Sequence, residues 1–189
     1  FLLGATAGRT TLAGEGLQHQ DGHSHILAYP NPSVQAYDPA FAYELAVIVR
    51  QGLHRMLENG ENLVYYLTIM NEFYTMPAMP KGVEDGILRG IYKFRASEQA
   101  SAPFKAHLLG SGAILNETLK AQEILDTQFG VAADVWSVTS YTQLRREAAS
   151  CERWNMLHPT EKPRQSYLEK TLKGAEGPFI AASDYVRAL

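Results

Sequence analysis

The sequence predicts an α/β fold made of two successive units. Three observations lead there. A helix-period stretch ending at Asn59-Gly60 runs into a β-branched and aromatic segment over 63–69, and a strand–turn–helix–strand unit spans 104–138. Between them, 96–103 is small, polar and non-periodic, the composition of a connecting segment. The 189 residues are enough for one large domain or two modest ones, and 46% hydrophobic with 20% charged residues is a globular composition.

Taken in order, Tyr29-Pro30-Asn31-Pro32-Ser33 is a rigid irregular connection. Asp38 and Pro39 then read as the N-cap and first position of a helix. Leu45, Ile48, Val49, Leu53, Met56 and Leu57 follow at helical spacing, and His54 sits among them as an exposed helix residue. The run over 63–69 is expected to be a buried strand. The loop over 71–80 follows it directly, where ligands gather in open α/β sheets. There Glu72 can serve as an acid/base group and Met76 and Met79 can wall a small apolar pocket; a packed structural loop is the alternative. A short helix over 83–88 and a strand over 91–94 close the first unit. The expected division is thus 1–96, a linker over 97–103, and 104–189.

In the second unit, 104–109 reads as a strand, Gly110-Ser111-Gly112 as a tight turn, 115–129 as a helix and 131–138 as a strand. Such a crossover is expected to be right-handed. The turn is not a dinucleotide fingerprint, because the third glycine would fall at Leu115 and no well-placed acid follows the second strand. Another strand is expected over 179–182. Cys151 with His158 is not read as a nucleophile and its base, since nothing visible in the sequence would lower the thiol's pKa.

Several function classes fall away. A formal net charge of −3 with no long basic run argues against nucleic acid as a main partner. The longest apolar runs, such as 45–49, are far too short to span a bilayer, so no membrane role is expected. One cysteine excludes an intrachain disulfide and suits the cytoplasm. The chain opens at Phe1 without a signal pattern and reads as a piece of something longer, with its second unit cut short.

The chemistry concentrates at Gly14-Glu15-Gly16-Leu17-Gln18-His19-Gln20-Asp21-Gly22-His23-Ser24-His25, which holds three of the six histidines. Its glycines disfavour a regular helix and suit a loop that presents functional groups. His19, His23 and His25 can ligate a metal, exchange protons near neutrality, or donate to developing negative charge. Geometry weakens the metal reading. His19 and His23 are spaced i, i+4, but Gly22 and Ser24 work against the helix a zinc pair needs, and no His-Glu-x-x-His pattern occurs.

The stretch Gly4-Ala5-Thr6-Ala7-Gly8-Arg9-Thr10-Thr11-Leu12-Ala13, running on to Ile26, resembles the homodimeric bacterial pyruvate dehydrogenase component. The likeness continues in register through Tyr37-Asp38-Pro39-Ala40-Phe41-Ala42-Tyr43-Glu44 and Asn71-Glu72-Phe73-Tyr74-Thr75-Met76-Pro77-Ala78-Met79-Pro80. It resumes at Leu108-Leu109-Gly110-Ser111-Gly112 and at Cys151-Glu152-Arg153-Trp154-Asn155-Met156-Leu157-His158-Pro159, covering almost the whole chain.

This resemblance implies part of a transketolase-like fold: the end of the pyrimidine-binding domain followed by the start of the C-terminal domain. It implies a thiamine-diphosphate- and Mg2+-dependent enzyme that decarboxylates pyruvate and passes the acetyl unit to a lipoyl-bearing acetyltransferase, feeding acetyl-CoA synthesis. The family's Asp-Gly-x-x-His pattern falls on Asp21 to His25. That implies His25 as the catalytic group and Asp21 as a substrate contact, with His23, an additional imidazole that can orient either, counted with the substrate-binding residues. His19, Asn71 and Glu72 are candidates for the substrate channel. The family's Gly-Asp-Gly motif and its cofactor-activating glutamate are not in these residues, so the isolated piece is expected to be inactive. A metal-dependent hydrolase using His19, His23 and His25, or a non-catalytic docking module, are the other classes the loop allows.

Overall fold

The computed structural model describes residues 2–6, 16–70, 72–99 and 101–189. Two sheets organise them. The first has three parallel strands in the order β1 (Leu2–Thr6), β3 (Val64–Ile69), β2 (Val34–Tyr37), with Leu2 opposite Tyr65 and Val34 opposite Val64. The expected strand over 63–69 is therefore central, which is why Tyr65, Leu67 and Thr68 are all buried. The helix α1 (Ser24–Ala28) precedes β2. Helix α2 (Ala42–Leu53), continued by a wider turn over His54–Glu58, joins β2 to β3. His54 is exposed there and pairs with Glu58 at 2.9 Å.

Helix α2 does not begin at Pro39. Phe41, extended at φ −121° and ψ 153°, is its N-cap residue. Asp38 cannot cap the helix because it is held elsewhere: its carboxylate accepts the Thr68 hydroxyl, its N–H bonds Thr139 and its carbonyl accepts Gly112 N–H. Glu44 takes over the work from inside the first turn, accepting the backbone N–H groups of Ala40 (2.5 Å) and Phe41 (3.1 Å).

After α3 (Glu84–Arg89) the second sheet begins, in the order β4 (Tyr92–Arg95), β6 (Val131–Ser137), β5 (Phe104–Gly110), β7 (Phe179–Ala182). Strands β5, β6 and β7 are parallel and β4 is antiparallel to β6. The strand expected to close the first unit thus belongs to the second sheet. Tyr92 explains the double allegiance: it pairs with Ser137 in that sheet, yet packs with Tyr37, Ile48, Tyr65 and Ile87 in the first unit's core. Helix α4 (Ile114–Ile124), with a wider turn to Phe129, connects β5 to β6, and α5 (Tyr141–Leu157) and α6 (Tyr167–Thr171) connect β6 to β7.

The two units share packing. Ala40 and Phe41, between β2 and α2, sit in one buried cluster with Ala106, Leu108, Leu115, Ala133 and Val135 of the second unit. Phe41 is only 3% exposed, a burial worth about 2 kcal/mol or more on its own. Glu44 adds a polar tie, its second oxygen accepting the hydroxyls of Tyr92 and Ser137, each at 2.6 Å. Burial pushes the Glu44 carboxyl above the ordinary range, against the pull of those hydroxyls and backbone amides. The consequence for function is placement: the carboxyl ends of β2, β3, β5 and β6 come together at one seam.

Candidate functional site at the strand ends

The histidine loop reaches this seam through α1. Residues 7–15 lie outside the described residues, so Gly14 and Glu15 do too. From Gly16 the chain makes a tight 3-10 turn over Leu17–His19, and then, despite Gly22, turns into α1. Asp21 makes that possible. Its carboxylate accepts the N–H groups of His23 (2.9 Å) and Ser24 (3.0 Å) and also the Ser24 hydroxyl, capping the helix start. Partial burial pushes the Asp21 carboxyl up, but these bonds and nearby His25 together hold it below the usual range.

The other end of α1 is closed from the second unit. The Arg146 guanidinium, on α5, donates to the carbonyls of Ala28 (2.8 Å), Tyr29 (2.9 Å), Asn31 (2.6 Å) and Val34 (2.6 Å). A cation on the unpaired carbonyls of a helix end is favourable for both hydrogen bonding and the helix dipole. Val186 N–H bonds Gly22 O at 3.1 Å, and the Tyr185 ring lies 4.7 Å from the His25 imidazole. The loop that carries the candidate catalytic group is clamped by residues more than a hundred positions away.

His25 itself is 1% exposed. Its Nε2 is 3.1 Å from Thr68 Oγ1, and Thr68 Oγ1 is in turn 2.7 Å from Asp38 Oδ1. Tyr66 stands edge-on at 5.8 Å. Burial lowers the His25 pKa to about 4, with Asp21 opposing. Burial also pushes Asp38 up to about 7; the hydroxyls of Thr68 and Ser111 pull against this, and Asp184 and Glu44 add to it.

The Gly-x-Gly turn finds its explanation at Asp38. Gly112, at φ +51°, donates its N–H to Asp38 O, and a Cβ on it would stand 2.9 Å from both Asp38 carboxylate oxygens. The turn needs glycine to admit the carboxyl group. Beside it, Tyr141, Ser183 and Tyr185 line a pocket of about 270 Å³. The buried Tyr141 hydroxyl has no hydrogen-bond partner among the described residues, and that of Tyr185 faces Thr68 without closing a bond of normal length.

The structure thus brings Asp21 and His25 together, and sets His23 and His19 in solvent. Glu72 is exposed, and Asn71 lies outside the described residues. Among the described residues no three His, Cys, Asp or Glu side chains come together to hold a metal. Cys151 lies on α5 with its thiol toward Glu147 and raised in pKa by burial, which leaves it a poor nucleophile. Asp38, Thr68, Arg146 and Tyr185 were not singled out from sequence. The only signals were Asp38 before a proline, read as a helix cap, and the Gly-x-Gly, read as a tight turn.

Residues 1–77 match the pyruvate dehydrogenase E1 component middle domain, and residues 90–189 the transketolase-like C-terminal domain. The chain is 54% identical over 187 residues to the pyruvate dehydrogenase E1 component of Pseudomonas aeruginosa, covering 99% of this chain and 21% of that one. It is 53% identical over 188 residues to that of Escherichia coli, again 99% of this chain and 21% of the relative. The Mycobacterium tuberculosis protein of that name is 49% identical over 191 residues, 100% of this chain and 20% of its own. The chain therefore spans about a fifth of the length of these relatives. Transketolases from Pichia stipitis (TM-score 0.66, 16% identity, 95% of this chain and 22% of that one) and Campylobacter jejuni (0.62, 16%, 97% and 24%) share the fold.

Proposed function

Because the chain belongs to the transketolase-like pyruvate dehydrogenase E1 component family, we propose that it forms part of an enzyme that decarboxylates pyruvate and passes the acetyl unit to a lipoyl group on an acetyltransferase partner. In this reading the parent protein is a thiamine-diphosphate- and Mg2+-dependent homodimer of the cytoplasm. The observation that carries the reading is His25 at the converging strand ends, held by Thr68 and Asp38, in a chain 54% identical to such a component. We place the division between the two units ahead of β4, because that strand joins the second sheet.

The described residues do not fit the cofactor's diphosphate or its metal ion. Among the described residues, Asp38 and Asp184 act on each other at the strand ends with no cation between them to receive a diphosphate, and no group of three His, Cys, Asp or Glu side chains can hold a metal. This stretch supplies the substrate side of the site. His25 meets the keto oxygen of pyruvate as it gains negative charge, donating a hydrogen bond or a proton. Asp21 fixes the turn that presents His25, with His23 at the loop surface, and the exposed His19 and Glu72 remain candidates, with Asn71, for the substrate channel. The pocket beside Tyr185 is large enough for a three-carbon keto acid.

Carbon dioxide release from pyruvate by the full-length parent, with thiamine diphosphate and Mg2+, tests this. Wild type is expected to turn over, and His25→Ala to lose about 10²-fold or more in kcat while retaining cofactor affinity. A parent inactive toward pyruvate overturns the substrate; a fully active variant moves the chemistry off His25. A metal-dependent hydrolase is not favoured, since His19, His23 and His25 do not converge on one point.

A further inference from the structure

A buried imidazole with a lowered pKa poses a problem for the reading above. At neutral pH it is not an imidazolium, so it has no extra proton to give. The seam contains the means to solve this. Three side chains form an unbroken hydrogen-bonded chain through protein interior: His25 Nε2 to Thr68 Oγ1 at 3.1 Å, and Thr68 Oγ1 to Asp38 Oδ1 at 2.7 Å. All three are buried, His25 at 1%, Thr68 at 0% and Asp38 at 4% exposure.

We propose that Asp38, Thr68 and His25 form a proton relay in which Asp38 stores the proton that His25 delivers, the imidazole staying neutral throughout. A threonine hydroxyl has one hydrogen and can both donate and accept, so the chain has two complete arrangements. In one, Asp38 is a carboxylate. Thr68 donates its hydrogen to Asp38 Oδ1 and accepts the hydrogen of His25 Nε2, leaving Nδ1 bare. In the other, Asp38 is protonated and donates to Thr68 Oγ1. Thr68 turns its hydrogen to Nε2, and the imidazole carries its proton on Nδ1.

Passing between the arrangements balances. A proton arriving at Nδ1 releases the one on Nε2 to Thr68, and Thr68 releases its own to Asp38. The net change is one proton gained at Nδ1 and one stored on Asp38, with His25 neutral and Thr68 unchanged. Run backward, Nδ1 gives a proton to an acceptor and Asp38 returns to carboxylate. Neither arrangement needs a charged imidazole in the interior, which is where burial makes charge most costly.

The surroundings suit storage at Asp38. Glu44 and Asp184 disfavour its charge, while Thr68 and Ser111 bond it, and together with its burial they bring it near neutrality. Tyr141 also faces it, as a phenol held protonated by burial. Around His25 stand Asp21, Tyr66 and Tyr185, the last held as a phenol by burial. Gly112 makes the space in which the Asp38 carboxyl sits. Asp38 and Thr68 are therefore positioning residues that act through His25. The catalytic consequence rests on the proposed role of His25; the two arrangements themselves do not.

The experiment is nitrogen NMR of the full-length protein labelled with 15N in its histidine rings, the His25 signals being identified by their loss in His25→Gln. The expected result is a change of the His25 tautomer from Nε2–H to Nδ1–H as pH falls through about 7, without conversion to imidazolium. Thr68→Val is expected to abolish the change, Thr68→Ser to keep it, and Asp38→Asn to lock one tautomer. In turnover, Asp38→Asn is expected to lose about 10²-fold in kcat with little change in KM for pyruvate, and to lose the ionisation near pH 7 from the kcat profile. A single His25 tautomer from pH 5 to about 9 in wild type, or a Thr68→Val variant that titrates like wild type, overturns the relay. Failure of the parent to decarboxylate pyruvate overturns instead the function proposed above, and leaves the tautomer measurement decisive for the relay.

Discussion

Replacing Arg146 with leucine removes the side chain that hydrogen-bonds from α5 to both the end of α1 and the start of β2, leaving Arg145 on the Tyr29 ring and Gln143 on Gln35. The loss can be sized from the geometry. The guanidinium has one N–H on Nε and two on each terminal nitrogen, and Nη2 reaches toward Ala28, Tyr29 and Asn31 at once. At most two of those three bonds are strong, so four strong bonds are the ceiling. Charge-assisted bonds contribute about 1.5–3 kcal/mol each when buried, but Arg146 is only partly buried and water can reach Asn31. Adding the helix-end term, a local cost of roughly 2–4 kcal/mol for α1 is reasonable. That predicts about 30- to 1,000-fold faster amide exchange over α1 through local opening, since 1.36 kcal/mol is a factor of ten. The assay is hydrogen exchange by mass spectrometry on peptides covering α1 in the full-length protein. Arg146→Lys should recover only part of the protection, because an ammonium cannot reproduce the fork. Exchange over α1 within about threefold of wild type in Arg146→Leu would show that the clamp does not hold the helix.

Two other consequences are measurable. Gly112→Ala puts a Cβ 2.9 Å from both Asp38 carboxylate oxygens at φ +51°, and is expected to cost about 2 kcal/mol or more, read as a lowered thermal midpoint; an unchanged midpoint would mean the turn does not cradle Asp38. The two shifted groups give opposite pH slopes: Asp38, raised from 3.8 to about 7, loses about 4 kcal/mol of stability as pH rises between those values, whereas His25, lowered from 6.5 to about 4, loses about 3 kcal/mol as pH falls between its own. Wild type should therefore be nearly flat between pH 4 and about 7 in local exchange at the seam, with Asp38→Asn gaining protection as pH rises and His25→Gln losing it; parallel profiles for all three proteins would contradict both shifts.

What could be read from sequence follows the range of the interactions involved. The helix over α2, the central strand over 64–69 and the β5–α4–β6 unit announce themselves through periodicity, because each buries a face written into consecutive residues. Strands β1 and β2 do not. Leu2–Thr6 contains glycine and alanine where β-branched residues would signal, and Val34–Tyr37 is four residues behind two prolines. Helix α5 escapes for another reason: Thr142 and Leu144 are its buried residues, so its remaining surface carries no apolar stripe. His25 was legible from its glycine-rich, histidine-dense loop. Thr68 reads as one more β-branched strand residue and Asp38 as a helix cap, and nothing local separates those roles from the ones they hold.

The same limit bears on how the site is built. Each group that sets the state of His25 comes from a different strand end or from the second unit: Thr68 from β3, Asp38 after β2, Ser111 and Gly112 after β5, Tyr185 after β7, Arg146 from α5. Parallel strands deliver this naturally, since all their carboxyl ends face one way and two sheets in contact can pool them. An imidazole placed there gains a dry setting but loses its easy charge. A threonine and a raised carboxyl group behind it restore a mobile proton without restoring the charge. On these grounds the second unit is more than a support: through Arg146, Tyr185 and the Gly110-Ser111-Gly112 turn it fixes where the first unit's histidine stands and what its neighbour Asp38 can hold. Its removal should then change the titration of His25 even where the first sheet stays folded.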